Sequence, residues 1–292
     1  MSRIGIALGG GGIAGCAHLG IIKALEEIGL QFHCVTGTSS GGLIAALYAC
    51  GYTTDQIIQM VPELSKKYMD YDYRSIISKM LWKDQRTPSI IKGKKFREFL
   101  SMKLQDRSIK DIGLPVALIA ADLKTGKKIV FSSKPLKMQT NDYEEISDIS
   151  VVDAIVASCS IPTLFPPIEI GEMLLVDGGL IDNCPSEYAK VLGAEKVIAV
   201  DLCTPGQNRS PVNSIISIIN RTVSVFLLHQ AKLLHNHTNI LLSPDVSHIG
   251  SLAFNKTSEC IEIGYEYTKN KMSEIEAALE LVPDVAFKSI VI

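Results

Sequence analysis

A serine set among glycines is the first feature of this chain that could do chemistry. The stretch GTSSG, residues 37–41, fits the pattern G-x-S-x-G between an apolar run and a helix-like run. In a tight turn from strand to helix, side chains two residues before and after the apex would collide with neighbouring segments, so glycine is needed there. The pattern predicts that Ser39 is a nucleophile exposed at a helix N-terminus, and a plain helix cap is the alternative.

A second glycine cluster, residues 9–12 with Gly15, follows the first apolar stretch of the chain. Such backbone at a strand end can turn its N–H groups toward an anion, and the tetrahedral intermediate of acyl transfer is an anion. Gly10, Gly12 and Gly15 also fit the dinucleotide-binding pattern G-x-G-x-x-G. That pattern requires an acidic residue near the end of the second strand, where this chain has VTGTSSG. The cluster is therefore interpreted as an oxyanion-binding loop.

A serine hydroxyl needs a base to take its proton before it becomes a useful nucleophile. Asp177 ends the apolar stretch EMLLVD and precedes two glycines, so its carboxylate would emerge at a strand end with room for close approach. A turn-forming Asp before Gly is the alternative role. His248, in SPDVSHIG, is the best placed of the six histidines but has no supporting motif. The others are His18, His33, His229, His235 and His237.

The elements that must position these residues are indicated by hydrophobic periodicity. Short apolar runs alternate with helical patterns, which predicts an α/β fold with a mainly parallel sheet. Strands are expected at RIGIAL, FHCVTG and KVIAVDL, and hairpins at LPVALIAADLKTGKKIVFSS and IEIGEMLLVDGG. Helices are expected at residues 17–29, 42–51, 213–235 and 258–279. We expect residues 1–292 to form one domain with a helical, cap-like insertion at about 54–104.

Composition excludes several classes of function. The 292 residues are 47% apolar, enough for a sizeable core, and the net charge of -2 without a dense basic run gives no footprint for nucleic acid. Seven scattered cysteines without a C-x-x-C pair indicate neither a disulfide framework nor a zinc site. The N-terminus is a poor signal peptide and no apolar span reaches membrane length. We expect a cytoplasmic protein that could touch a membrane surface from one side.

Three motifs agree in identity and order with one family. GGGGIAG, GTSSG and DGG correspond to the glycine-rich loop, nucleophile elbow and aspartate motif of the patatin-like phospholipases, which this chain resembles. Similar stretches extend the resemblance over nearly the whole chain: HLGIIKALEE, ADLKTG, ASCSIPTLFPP, LLVDGGLIDNCP and IEIGYE. The resemblance implies a three-layer α/β/α sandwich in a compact single domain.

The same resemblance implies roles for individual residues. Ser39 would be the acylated nucleophile and Asp177 its direct general base, with no histidine required. The backbone amides of Gly10, Gly11 and Gly12 would form the oxyanion hole. A free aspartate with a pKa of about 3.9 is a feeble base, so burial beside the apolar strand would have to raise its pKa. The implied substrates are acyl esters of lipids, with no cofactor and no metal, so a chelator should leave hydrolysis unchanged.

One position departs from the family pattern. Ala14 stands where Arg or Lys usually precedes the last glycine of the loop, so a cation that could steady the loop is missing. Two alternatives therefore stay open: a catalytically weak lipid-binding or interaction protein on the same scaffold, and an esterase of the Ser-His-Asp type. Five apolar residues of the cap-like insertion could form an acyl-binding or interfacial face, or ordinary core: Ile76, Ile77, Met80, Leu81 and Trp82.

Overall fold

The computed structural model describes residues 2–67, 91–138, 142–202, 237–250 and 253–281, with the single positions 70, 89, 140, 218, 221, 222 and 225. The strands in these ranges are β1 Ile4–Leu8, β2 Phe32–Thr38, β3 Val116–Asp122, β4 Lys128–Ser132, β5 Tyr143–Ile146, β6 Ile168–Ile170, β7 Met173–Asp177, β8 Lys196–Val200 and β9 Ile240–Leu242. The α-helices are α1 Ala17–Glu27, α2 Ser40–Ala49, α3 Thr54–Lys67, α4 Lys94–Leu104, α5 Val151–Ser158, α6 Ser186–Val191, α7 Thr257–Asn270 and α8 Met272–Leu279.

The strands form one sheet in the order β5-β4-β3-β2-β1-β8-β9, with the hairpin β6-β7 joined to it through β3. The central strands β3, β2, β1, β8 and β9 all pair in parallel. Strand β4 pairs antiparallel with β3, since a hairpin with Gly126 at a positive φ of 72° connects them. The predicted mainly parallel α/β sheet is confirmed.

Strand β7 brings the two site segments together. Strand β2 pairs with β3 as far as Thr38, which lies opposite Ile119. At the next position of β3, Ala120 pairs with Asp177 of β7, which runs antiparallel. The ends of β2 and β7 therefore meet beside the same stretch of β3.

Side chains on the two faces of the sheet pack into two separate cores. On β1, Ile6 and Leu8 belong to the larger core, which includes residues of α1, α2 and α5. Ala7 points to the opposite face, where Tyr188 of α6 packs in the smaller core. Strands buried on both faces are typical of a parallel sheet between helical layers, so the three-layer sandwich is confirmed.

The predicted elements differ from the structure in several places, and strands β5 and β9 were not predicted. Residues 258–279 form two helices, because Lys271 leaves helical geometry at φ -101° and ψ 8°. Helix α5 was not predicted because it is buried almost all round and shows no amphipathic period. Helix α6 is too short, at six residues, for a periodic signal.

Some predictions fall outside the described residues: the helix at 213–235 and the apolar face around Trp82. The single-domain assignment and the cap stay predictions. Helices α3 and α4 are the described ends of that insertion. No helix within the described ranges is both long and apolar enough to cross a membrane.

Candidate active site

The turn between β2 and α2 holds Ser39 in a strained backbone conformation, with φ 56° and ψ -126°. A Cβ on Gly37 would lie 2.5 Å from the carbonyl oxygen of Gly41, and a Cβ on Gly41 would lie 2.2 Å from that of Leu8. Both distances are far too short for contact. The two glycines of the motif are therefore required by the close approach of backbone segments, as expected for a nucleophile elbow.

Helix α5 and the residue after it hold the backbone of Ser39. The amide of Ser39 donates a hydrogen bond of 3.0 Å to Oγ of Ser158, and its carbonyl accepts one of 3.2 Å from Sγ of Cys159. The sequence by itself indicates no role for these two residues. The stretch ASCSIPTLFPP, which resembles the family, was the one indication of them in the sequence. Hydrogen-bond partners that lie 119 and 120 residues away leave no local pattern.

Asp177 lies at the end of β7 and is almost completely buried, with 6% of its surface exposed. Burial raises the pKa of its carboxyl group to about 6, although the Ser39 hydroxyl and the Gly179 amide both lower the pKa by hydrogen bonding. Oδ1 accepts the Gly179 amide at 2.8 Å. Among the described residues Oδ2 has no partner in full hydrogen-bond geometry, so the Ser39 hydroxyl faces the carboxylate in a loose contact.

A thiol lies beside the same pair. Burial raises the pKa of Cys159 well above its usual value, and the nearby charge of Asp177 raises it further. Only the thiolate form of cysteine is a strong nucleophile. Cys159 therefore stays protonated, and the hydroxyl of Ser39 is the group that faces the carboxylate.

The glycine loop lies against the serine. A Cβ on Gly10 would approach Cβ of Ser39 to 3.1 Å. The Gly10 amide donates to the carbonyl of Asn183 at 3.1 Å, and the Gly11 amide donates to Oγ of Ser40 at 3.1 Å. The Gly12 amide has no acceptor among the described residues. Of the three predicted oxyanion donors, the Gly12 amide alone has no acceptor within the part of the chain that the structure describes.

The histidines of the described ranges do not pair with the serine. His18 is buried and its Nε2 donates to the carbonyl of Gly9 at 2.7 Å. His248 is half exposed and pairs with Glu259 at 2.8 Å, and His237 lies 4.0 Å from Glu187. None of the four histidines in the described ranges hydrogen-bonds Ser39 or Asp177. His229 and His235 lie outside those ranges.

Residues of the glycine loop and the residue after Ser39 are less buried than the hydroxyl and carboxylate pair. Gly11, Gly12, Ile13 and Ser40 are partly exposed, whereas Ser39 and Asp177 are buried. Across the described part of the chain, no group of three or more His, Cys, Asp or Glu residues could hold a metal ion. The arrangement pairs a hydroxyl with a carboxylate of raised pKa beside backbone donors, a combination suited to acyl transfer.

Comparison with known proteins extends this picture. The patatin-like phospholipase family model matches residues 6–190. Patatin-like phospholipase domain-containing protein 6 of Homo sapiens is 26% identical over 296 residues, which cover 92% of this chain and 20% of that protein. Lysophospholipase NTE1 of Kluyveromyces lactis is also 26% identical, over 96% of this chain and 20% of its own length. The chain thus spans about a fifth of these relatives.

The chain is also similar to a relative of comparable size and to two solved structures. YqhO of Bacillus subtilis is 32% identical over 221 residues, covering 70% of this chain and 73% of that protein. VipD from Legionella pneumophila shares the fold with a TM-score of 0.55 at 14% identity, over 94% of this chain and 67% of that one. Human GIVD cytosolic phospholipase A2 has a TM-score of 0.51 at 10% identity, over 96% of this chain and 60% of that one. Since the family model covers well over half of the sequence, the chain belongs to the patatin-like phospholipase family.

Proposed function

We propose that this chain is a serine lipid acyl hydrolase in which Ser39 is the nucleophile and Asp177 the general base. The observation that carries the proposal is the register of β3: Thr38 and Asp177 pair with its consecutive residues Ile119 and Ala120. A hydroxyl and a buried carboxylate from segments 138 residues apart therefore face each other. A phospholipid, lysophospholipid or neutral acylglycerol would supply the ester.

Acylation begins when Oγ of Ser39 attacks the ester carbonyl carbon while its proton passes to Asp177. A carboxyl pKa of about 6 makes this base stronger than an exposed aspartate and leaves it mostly ionised at neutral pH. The protonated carboxyl group then gives its proton to the departing alcohol. The products of this half-reaction are a free alcohol and the acyl ester of Ser39.

Deacylation repeats the chemistry with water as the nucleophile. Asp177 takes a proton from the attacking water, the bond to Oγ breaks, and the serine recovers its proton. In both steps the carbonyl oxygen becomes negatively charged. We assign its stabilisation to the loop amides of Gly10, Gly11 and Gly12, with Gly12 the donor that already lacks an acceptor.

A fluorophosphonate probe with matched variants tests the assignment. We expect stoichiometric labelling of the wild-type chain, no labelling of Ser39→Ala, and loss of ester hydrolysis by at least about a hundredfold in Asp177→Asn. His248→Ala should keep most activity, because His248 pairs with Glu259 at the surface. A chelator should leave the rate unchanged. Loss of hydrolysis in His248→Ala with activity retained in Asp177→Asn would support a Ser-His-Asp esterase instead.

A lipid-binding protein on the same scaffold is the second candidate function. It is favoured by the internal acceptors that already occupy the Gly10 and Gly11 amides, and by Ala14 in place of a basic residue. A chain of this kind would bind phosphatidylcholine vesicles in a flotation assay and would not react with the fluorophosphonate. Stoichiometric labelling of Ser39 with measurable ester turnover would reject it.

A further inference from the structure

Three successive glycines of the loop are each held by a different part of the molecule. The carbonyl of Gly9 accepts from the buried ring of His18. The amide of Gly10 donates to the carbonyl of Asn183. The amide of Gly11 donates to the hydroxyl of Ser40. Gly12, the next residue along the chain, has no such hydrogen bond among the described residues.

We infer that Ser40 is a positioning residue of the oxyanion loop, whose hydroxyl holds the Gly11 peptide so that the Gly12 amide is left as the leading donor. The inference rests on the proposed function and deepens it. Ser40 directly follows the nucleophile and opens α2, so its bond ties the loop to the element that carries Ser39. A shift of the loop relative to Ser39 would lengthen this bond.

The Ser40 side chain occupies the space that a side chain at position 15 would need. A Cβ on Gly15 would lie 2.3 Å from Oγ of Ser40 and 2.6 Å from its Cβ. The loop therefore closes onto that side chain, and only glycine at position 15 leaves the space. This contact explains why position 15 is glycine without requiring a bound dinucleotide.

The backbone changes direction just after the held peptide. Gly12 has a φ of 59°, in the left-handed region, and begins the 3-10 helix Gly12–Cys16. The first amides of such a turn have no acceptor within it. Because Gly12 is partly exposed and no described residue accepts from its amide, we assign this amide to a ligand oxygen.

The side chain at position 14 forms no hydrogen bond that could hold this loop. Ala14 is buried, with 6% of its surface exposed, and its methyl group cannot form a hydrogen bond. Within the described ranges, the side chains of Ser40 and His18 both hydrogen-bond this loop. Ser40 is the one adjacent to the nucleophile, and for this reason the loss of its hydroxyl should affect the reaction itself.

Ser40→Ala tests the inference in the full-length chain. Alanine is favourable in a first helical turn, so the variant should fold. We expect the rate constant for fluorophosphonate labelling of Ser39, and kcat on a soluble short-chain ester, to fall about tenfold. KM should change less than twofold, because the oxyanion exists only in the transition state. The final labelling stoichiometry should remain complete, which separates this result from a failure of the proposed function.

Ser133→Ala is the matched control. Its hydroxyl also accepts a backbone amide, that of Val116, at 2.9 Å, and Ser133 is the more buried of the two serines. Ser133 lies just beyond β4, so the control should lose stability without a change in kcat. A labelling rate and kcat of Ser40→Ala within twofold of wild type, or above it, would overturn the role of Ser40.

Amide hydrogen exchange in the wild-type chain gives an independent measurement. The Gly11 amide should exchange more slowly than the Gly12 amide, and Ser40→Ala should bring the two rates together. Equal exchange of the two amides in the wild-type chain would contradict the inference, whatever the kinetics of the variant.

Discussion

At the scale of single residues, the burial of Asp177 opposes the ionisation of its carboxyl group. It is only 6% exposed, yet the proposed role as general base to Ser39 requires it to ionise. Burial raises its pKa to about 6, so at neutral pH the folded chain holds a carboxylate that would be more stable in water. The raised pKa on which the proposed role depends therefore lowers the stability of the fold.

The sign of this effect is set by the two pKa values. In the folded chain the carboxyl group keeps its proton up to a pH of about 6, and in the unfolded chain only up to the usual 3.8. Between these values the folded state binds more protons, so stability falls as the pH rises through the window. Above pH 6 the full cost of burying the charge remains.

Asp177→Asn should therefore stabilise the protein at alkaline pH. At 1.36 kcal/mol per pKa unit, the free energy of unfolding should rise about 2–3 kcal/mol more at pH 8 than at pH 4, relative to wild type. Urea denaturation at both pH values measures it. Asp148→Asn is the control, because its exposed carboxylate pairs with Lys110, which lowers the pKa. An Asp177→Asn effect that is independent of pH would show that the carboxyl group does not titrate as described.

At the scale of elements, α1 and α7 cross with their backbones in contact. A Cβ on Gly20 would lie 1.9 Å from the carbonyl oxygen of Ile261, and a Cβ on Gly264 would lie 2.1 Å from that of Ala17. Helix α7 also packs against the 3-10 helix of the glycine loop. Helix α7 thus supports the glycine loop from one side.

Gly264→Ala should separate these two helices. Because the obstacle is backbone, which cannot rotate aside, we expect a loss of about 3 kcal/mol in the free energy of unfolding. The matched control is Gly113→Ala, where the added methyl group meets nothing within 4 Å. The control should change stability by less than about 0.5 kcal/mol. Equal urea midpoints for the two variants would contradict the close crossing.

At the scale of the whole molecule, the family match ends at residue 190, but the site depends on a strand that lies beyond this residue. Strand β1, which leads into the glycine loop, pairs with β8 along the whole stretch Ile4–Leu8. The amide of Gly9 donates to the carbonyl of Val200 at 2.9 Å. Without β8, β1 would become a sheet edge with an apolar core face exposed.

A chain truncated after residue 193 should therefore fail to form the site. We expect no cooperative urea transition and no fluorophosphonate labelling of Ser39. Strand β1 loses its hydrogen bonds to β8, and the glycine loop loses the bond from the Gly9 amide to Val200. The full-length chain under the same conditions provides the comparison. A cooperative transition with complete labelling in the truncated chain would show that the matched region is sufficient.

Local chemistry made much of this protein predictable from its sequence. The strands β1, β2, β3, β7 and β8 were predicted because short apolar runs rich in β-branched residues are a local signal. Gly37 and Gly41 identified the elbow for the same reason, since a tight turn is built within a few residues. The order of the three motifs along the chain was enough to indicate the family.

The tertiary structure alone decided how these parts meet. The sequence does not show that Asp177 follows Thr38 along the edge of β3, that Ser158 holds the amide of Ser39, or that Ser40 holds that of Gly11. Hydrogen-bond partners 29 to 119 residues apart are chosen by strand order and helix packing. Local propensity is set by neighbours along the chain, whereas an open oxyanion donor depends on which distant groups have already taken the other amides.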